Sequence, residues 1–223
     1  MDLPPVPQGW RRVLLIRHGE TDANRKGIVQ GCRVNVDLNE KGLAQARDLS
    51  SFLSAAKFNV KLICTSALER AKQTASYIVS GSRKTMELKE LNEMDYGEKW
   101  DGVDVVKIMT ELKALATRWA KGETSAACPD GGESPMDVLD RAKRALSTVV
   151  QAMESDPDDD AVAVIVAHNF VNKVLLSHSE TGSVSNMHRF EQQHTCVNVL
   201  DVERATGKVR VVQTNFHKHV SRL

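Results

Sequence analysis

The chain is poor in the features that mark several large functional classes. Aromatic residues make up only 4%, too few for a platform on which bases stack. The formal net charge is +1, so the basic bias that accompanies nucleic-acid binding is missing. Its 4 cysteines (Cys32, Cys64, Cys128 and Cys196) are scattered, with no CxxC pair. Neither a zinc knuckle nor a disulfide framework is expected, and a reducing compartment is the simpler reading. No apolar run reaches membrane-spanning length, and Met1 to Trp10 holds no signal-peptide core. There is no internal repeat, and no Walker loop to cradle a nucleotide.

What is present is an ordinary globular composition, 41% hydrophobic and 26% charged over 223 residues, read as a single domain spanning 1–223. Three apolar runs stand out: Arg11 to Ile16, Val60 to Cys64, and Ala161 to Ala167. Continuous apolar runs of this length suit strands buried on both faces of a parallel sheet. Segments of helical spacing lie between them. Asn39 is placed to cap one that places Leu43, Ala46, Leu49 or Ser50, and Leu53 on one face. Leu68, Ala71, Ala75 and Ile78 form another, ended by Gly81. Asp104 to Lys121 puts Val105, Ile108, Leu112, Leu115 and Trp119 on one side. Ser134-Pro135 with Asp137 is a helix start of the capping-box kind, and Val171, Val174 and Leu175 begin a last helix after the third run. Thr85 to Leu88 reads as a short strand, Glu20 to Asp37 as a long loop, and Glu154 to Asp160 as a solvated acidic turn. Thr195 to Val202 and Val209 to Thr214 read as paired strands turning at Gly207. The expected fold is a three-layer α/β/α arrangement with a mostly parallel sheet flanked by helices, the last hairpin adding antiparallel character at one edge.

Each of the three buried runs ends in polar chemistry. Arg17, His18 and Gly19 follow the first, Ser66 and Arg70 the second, His168 and Asn169 the third. In a parallel sheet these junctions share one rim, where ligands bind. Two guanidinium groups and two imidazoles would meet there near helix N-termini, a ready site for an anion. Neighbouring arginines disfavour imidazolium and so keep a histidine neutral and nucleophilic. They also neutralise the oxygens of a phosphoryl group in transfer. Taken singly, Arg70 reads equally well as a snorkelling helix residue and His168 as a hydrogen-bonded core residue.

Arg17-His18-Gly19-Glu20-Thr21 with Asn24, Gln30-Gly31, Leu38-Asn39-Glu40-Lys41-Gly42 with Gln45-Ala46, Ser66-Ala67-Leu68-Glu69-Arg70-Ala71-Lys72-Gln73-Thr74-Ala75, Leu91-Asn92-Glu93-Met94-Asp95-Tyr96-Gly97, Gly131-Gly132-Glu133-Ser134 and Val164-Ile165-Val166-Ala167-His168 follow one another in that order. In this series the chain resembles the histidine phosphatase superfamily, the phosphoglycerate mutase-like family, in its phosphatase-like first branch. The resemblance implies roles. His18 would be the phosphorylated nucleophile. Arg17, Arg70 and His168 would hold the phosphoryl oxygens, assisted by Asn24, with Gln30, Gly31 and Asn169 also at the phosphate. Glu93 would protonate the leaving oxygen and then help activate water, a role that asks for a raised pKa. From the residues alone Glu93 is not distinguishable from Glu87, Glu90 or Glu98; the resemblance selects it. No metal is expected, because arginines and helix ends supply the positive charge. One departure is Asn169, where the family often has glycine. Asparagine tolerates left-handed backbone angles, and its side chain would reach toward the pocket.

The activity implied is hydrolysis of a small phosphorylated metabolite, without cofactor. The alternatives are a phosphoglycerate mutase, which would need 2,3-bisphosphoglycerate, and an inactive relative that only binds phospho-ligands. A mutase must shield its phosphohistidine from water under a closed lid. Here the cover, a short helical cap at about 95–133, is shorter than in the mutases, which favours water as acceptor. Lys99, Lys107, Lys113, Arg118 and Lys121 in that cap either select a second anionic group or form a solvated face. No nucleic-acid or membrane partner is expected, and the oligomeric state is open. Ser221-Arg222-Leu223 resembles the peroxisomal address Ser-Lys-Leu, so the location is either cytoplasmic or a peroxisome-like organelle.

Overall fold

The computed structural model describes residues 1, 3–78 and 83–220. The expected helix end at Gly81 and the C-terminal Ser221-Arg222-Leu223 lie outside the described residues. The chain runs β1 (Trp10–Arg17), α1 (Asp22–Arg25), α2 (Glu40–Ala55), β2 (Asn59–Thr65), α3 (Glu69–Ser76), β3 (Lys84–Glu87), α4 (Val105–Ala120), α5 (Pro135–Ala152), β4 (Ala161–Ala167), α6 (Asn169–Thr181), β5 (Val197–Glu203) and β6 (Val209–Phe216). The six strands form one sheet in the order β3-β2-β4-β1-β5-β6. The first four are mutually parallel, and β5 pairs antiparallel with both β1 and β6.

The alternation within each apolar run decides which face a residue serves. Val13, Leu15, Leu62, Ala163 and Ile165 enter a core built with α5 and α6, whereas Leu14, Ile16, Ile63, Val164 and Val166 enter a second core under α2 and α3. Burying each large aliphatic side chain is worth about 1.5–3 kcal/mol, and β4, buried along its whole length, anchors both layers. The hairpin is tied to β1 by Asp201, a fully buried carboxylate that takes Arg12 (Nε–Oδ1 2.9 Å) and Arg210 (Nη2–Oδ2 2.5 Å). Among the described residues no helix is long and apolar enough to cross a membrane.

Two expectations change. Glu20 to Asp37 is not wholly loop. Thr21 caps the one-turn α1, its hydroxyl accepting from Asn24 N at 3.1 Å while Asn24 Oδ1 accepts from Thr21 N at 3.2 Å. The Glu154–Asp160 segment is not simply solvated. The buried Arg11 guanidinium donates to the carbonyls of Asp158 (2.6 Å) and Asp156 (2.8 Å), tying that turn to the first strand. The caps at Asn39 and Ser134 form as expected, each accepting from the backbone N–H three residues on.

Strand β1 hands the chain to α2 through a contact that only glycine permits. A Cβ on Gly42 would lie 2.1 Å from the carbonyl oxygen of Glu20, and one on Gly19 would lie 2.6 Å from that of Gly42. The turn after His18 therefore seats directly on the first turn of α2, which fixes where the imidazole points.

Candidate active site

Strands β2, β4 and β1 are adjacent and parallel. Their carboxyl ends put Ser66, His168 and His18 side by side on one rim. A cavity of about 270 Å³ opens there, lined by Arg17, His18, Asn24, Gln30, Glu93 and Asn169 at its polar end and by Ile28, Val29, Tyr96, Val105 and Leu112 on its wall.

His18 is buried and its Nδ1 sits 2.7 Å from the carbonyl oxygen of Gly19. A carbonyl only accepts, so Nδ1 carries the proton and the Nε2 lone pair is free. Burial, then the fields of His168, Arg70 and Arg17, hold its pKa well below the ordinary histidine value. The group is a neutral imidazole with a fixed tautomer, the form that attacks an electrophile.

Arg17 extends beside it. Its Nη1 donates to Gln192 O at 2.6 Å, which orients the fork, while its buried Nε meets no acceptor among the described residues. Burial pulls its pKa down, opposed by the Glu93 carboxylate; a guanidinium remains charged throughout. A planar cation with an unspent donor beside a neutral imidazole suits a tetrahedral oxyanion.

Arg70 and His168 lie one layer deeper, both fully buried and behind the cavity wall rather than on it. Arg70 donates from Nε to His168 Nδ1 (3.2 Å), from Nη1 to Val34 O (2.6 Å) and from Nη2 to Gly31 O (3.2 Å). Because His168 Nδ1 accepts, its proton is on Nε2 and points to Ser66 Oγ at 2.7 Å. The His168 ring stands 5.0 Å from that of His18. Gln30 joins this tier, its amide nitrogen on Thr21 Oγ1 (2.7 Å) and its oxygen on Arg70 Nε (3.1 Å) and Nη1 (3.2 Å), the orientation in which donors meet acceptors. Gly31 is also buried, its N–H on Asp101 Oδ1 at 2.5 Å.

Glu93 is 5% exposed, and the first turn of α6 holds its carboxylate. Oε1 accepts from Met94 N (3.0 Å) and Val171 N (3.3 Å), and Oε2 from Phe170 N (3.0 Å). These are orphan donors of a helix N-terminus. Asn169 is the first residue of that helix, in ordinary right-handed geometry. The tolerance for left-handed angles expected of it is not called on, and its side chain lines the cavity.

Two groups of residues were missed in the sequence. His194 sits 6.2 Å from the His18 ring, with Nε2 3.3 Å from Asn24 Oδ1. Burial and the Arg17 charge push its pKa down to about 3. It is brought in by Thr195, whose φ of 54° turns the chain in a way no periodicity announces. Ile28 falls in the expected loop and Val105 and Leu112 on an expected helix face, and nothing in the sequence marks them, or Tyr96, as cavity wall. Apart from the site, Cys32, Asp95 and Asp101 bring possible ligand atoms within 4.8 Å of one another, but Arg33 and backbone N–H groups already engage both carboxylates.

The profile of the histidine phosphatase superfamily (branch 1) matches residues 13–215. The chain belongs to that superfamily. The adenosylcobalamin/alpha-ribazole phosphatase of Salmonella typhimurium is 29% identical to it over 205 residues, 91% of this chain and 96% of that one. Mouse fructose-2,6-bisphosphatase TIGAR is 36% identical over 129 residues, 58% of this chain and 47% of that one. Among solved structures, a mycobacterial glucosyl-3-phosphoglycerate phosphatase is 25% identical, with TM-score 0.76 over 92% of this chain and 99% of that one. These relatives are phosphatases, and the chain shares the mixed sheet flanked by helices of the solved ones.

The buried imidazoles of this histidine phosphatase make its stability pH-dependent. His18, His168 and His194, with His219 elsewhere, all have folded pKa values below the ordinary one. The unfolded chain therefore binds more protons below about pH 6.5, and stability falls as pH falls, by about 1.4 kcal/mol per pH unit for each such group. Urea unfolding at pH 7.5, 6.5 and 5.5 should show a loss of several kcal/mol over the last step. His194→Gln should shrink that loss by about 1 kcal/mol, less than the limiting slope because the step begins at the unfolded pKa; an unchanged slope would place His194 in water.

Proposed function

We propose that the protein hydrolyses a small phosphomonoester through a phosphohistidine formed on His18. The observation that carries this reading is the pinned tautomer: Nδ1–H is held by Gly19 O, which leaves Nε2 unprotonated, on a residue that lines a cavity shared with Arg17 and Glu93. In the first step Nε2 forms a bond to phosphorus while the ester P–O bond breaks, and Glu93 gives its proton to the departing alcohol oxygen. In the second, water attacks phosphorus, Glu93 takes a proton from it, and the P–N bond breaks. Arg17 and Asn24 take the phosphoryl oxygens at the wall. Arg70 adds positive field from one layer below, in a site where charge is poorly screened, and the neutral His168 is held there between it and Ser66. Gln30, Gly31 and Asn169 shape the same pocket. Arginines and helix N–H groups supply the positive charge, so neither a metal nor a cofactor takes part.

Hydrolysis is preferred to mutase chemistry because Arg17, Asn24 and Asn169 keep part of their surface open to solvent under a cover made of α4 and its flanking loops, 95–133. Water that reaches the phosphohistidine becomes the acceptor. The test is phosphate release from p-nitrophenyl phosphate in the presence of a chelator, run beside 3-phosphoglycerate with 2,3-bisphosphoglycerate. Phosphate release that survives chelation is expected. Rapid isomerisation with little free phosphate would make the protein a mutase, and no reaction in either arm would make it an inactive binder.

A further inference from the structure

The cap helix α4 carries two kinds of side chain, and the fold separates them. Its apolar stripe does not all go to the core. Ile108, Leu115 and Trp119 are buried beneath the helix, but Val105 and Leu112 face the catalytic cavity. Lys99, Lys107, Lys113, Arg118 and Lys121 are all exposed and none lines the cavity, and Arg118 is paired with Glu123 at 2.8 Å. Of the two readings open for these cations, the solvated face is the one the geometry supports.

The apolar wall is also fixed in place. Val29 N donates to Val103 O (2.8 Å), Gly102 N to Val29 O (2.9 Å) and Val105 N to Gly27 O (2.9 Å). This short ladder holds Ile28 and Val29 against the start of α4. Tyr96 closes the wall beside them, its ring edge-on to Phe170 at 6.2 Å. Among the described residues, the ionisable side chains that line the cavity are therefore Arg17, His18, Glu93 and Tyr96. Arg17 is committed to the phosphoryl group, and His18 is neutral. The Tyr96 hydroxyl is held un-ionised, because burial and Glu93 push its pKa up. That leaves Glu93, a carboxyl group, which offers a second anion no positive charge. Lys173 lies within electrostatic range of Arg17, Glu93 and Glu191 but is not on the cavity wall.

We infer that the alcohol this enzyme releases is uncharged and lays an apolar face against Ile28, Val105 and Leu112. The inference rests on the phosphatase reading and adds the substrate class to it. A carboxylate or second phosphate on the leaving group would be desolvated with no cation to meet it. The size agrees: about 270 Å³ lies just below the usual range for ligand pockets, about 300–1,000 Å³, so the released alcohol is small.

Benzyl phosphate and 4-carboxybenzyl phosphate differ in that charge and little else. Wild-type kcat/KM should be at least about tenfold higher for benzyl phosphate. Leu112→Lys, or Val105→Lys if the first variant does not fold, should close that gap by about tenfold or more by giving the carboxylate a partner. Val106→Lys adds the same charge at a site 74% exposed on the same helix and should leave the ratio unchanged. A wild-type enzyme that handles the carboxylate ester equally well would overturn the inference while leaving the phosphatase reading intact. So would a ratio that Leu112→Lys does not move, or one that Val106→Lys moves as far. No phosphate from either ester would remove the phosphatase reading and this inference with it.

Discussion

His18→Ala is expected to abolish phosphate release, lowering kcat by about four orders of magnitude or more, as loss of a covalent nucleophile does elsewhere. The imidazole lines the cavity with its Nε2 lone pair free, since Nδ1–H is spent on Gly19 O. Its surroundings keep it in the attacking form: burial, His168 and the two arginines all oppose protonation. Wild-type enzyme quenched during turnover of a ³²P-labelled ester should carry an acid-labile, alkali-stable label, and His18→Ala should carry none. Alanine also leaves the Gly19 carbonyl without its partner and opens a small hole in a buried site, which costs stability. His18→Asn guards against that ambiguity, because its amide N–H reaches toward the position of Nδ1 while offering no nucleophile. A folded His18→Asn protein that retained wild-type turnover would move the nucleophile elsewhere, with His168 the nearest candidate ring at 5.0 Å.

The elements that position this residue were legible because each signal was local. A run such as Val13-Leu14-Leu15-Ile16 alternates between two cores, and Asn39 or Ser134 announces a helix by what its side chain accepts three residues on. The rim followed from topology, since parallel strands present their carboxyl ends together. What escaped was set by tertiary placement. The four-residue α1 is too short to show a period. His194 arrives through a turn at Thr195. Val105 and Leu112 have the same spacing as their buried neighbours Ile108 and Leu115, and only the packed fold shows that the stripe is shared between core and cavity. Glu93 is the sharpest case. Among Glu87, Glu90, Glu93 and Glu98 the sequence offers no physical distinction. Glu93 is set apart by the backbone N–H groups of Phe170 and Val171 that hold its carboxylate, more than seventy residues away along the chain.

That same cradle makes Glu93→Gln the most informative second substitution. Oε1 takes N–H bonds from Met94 and Val171, so a glutamine can put its single oxygen there and its amide nitrogen in the place of Oε2. Most of the cradle survives and the variant should fold: Phe170 N keeps its 3.2 Å contact with Oε1 and loses the one with Oε2. What it cannot do is hand over a proton. For alkyl phosphates, whose leaving oxygen must be protonated as the P–O bond breaks, kcat/KM should fall by about 10²–10⁴-fold. For p-nitrophenyl phosphate the leaving phenolate is stable without a proton, and kcat/KM, which reports only steps through phosphoenzyme formation, should fall by no more than about tenfold. The second step asks Glu93 to take a proton from water, so kcat should drop with both substrates, and with the aryl ester, whose first step stays fast, labelled phosphoenzyme should accumulate at steady state. Equal losses of kcat/KM on alkyl and aryl esters, with no accumulation, would assign Glu93 to holding the first turn of α6 and leave the acid to be found elsewhere on the cavity wall.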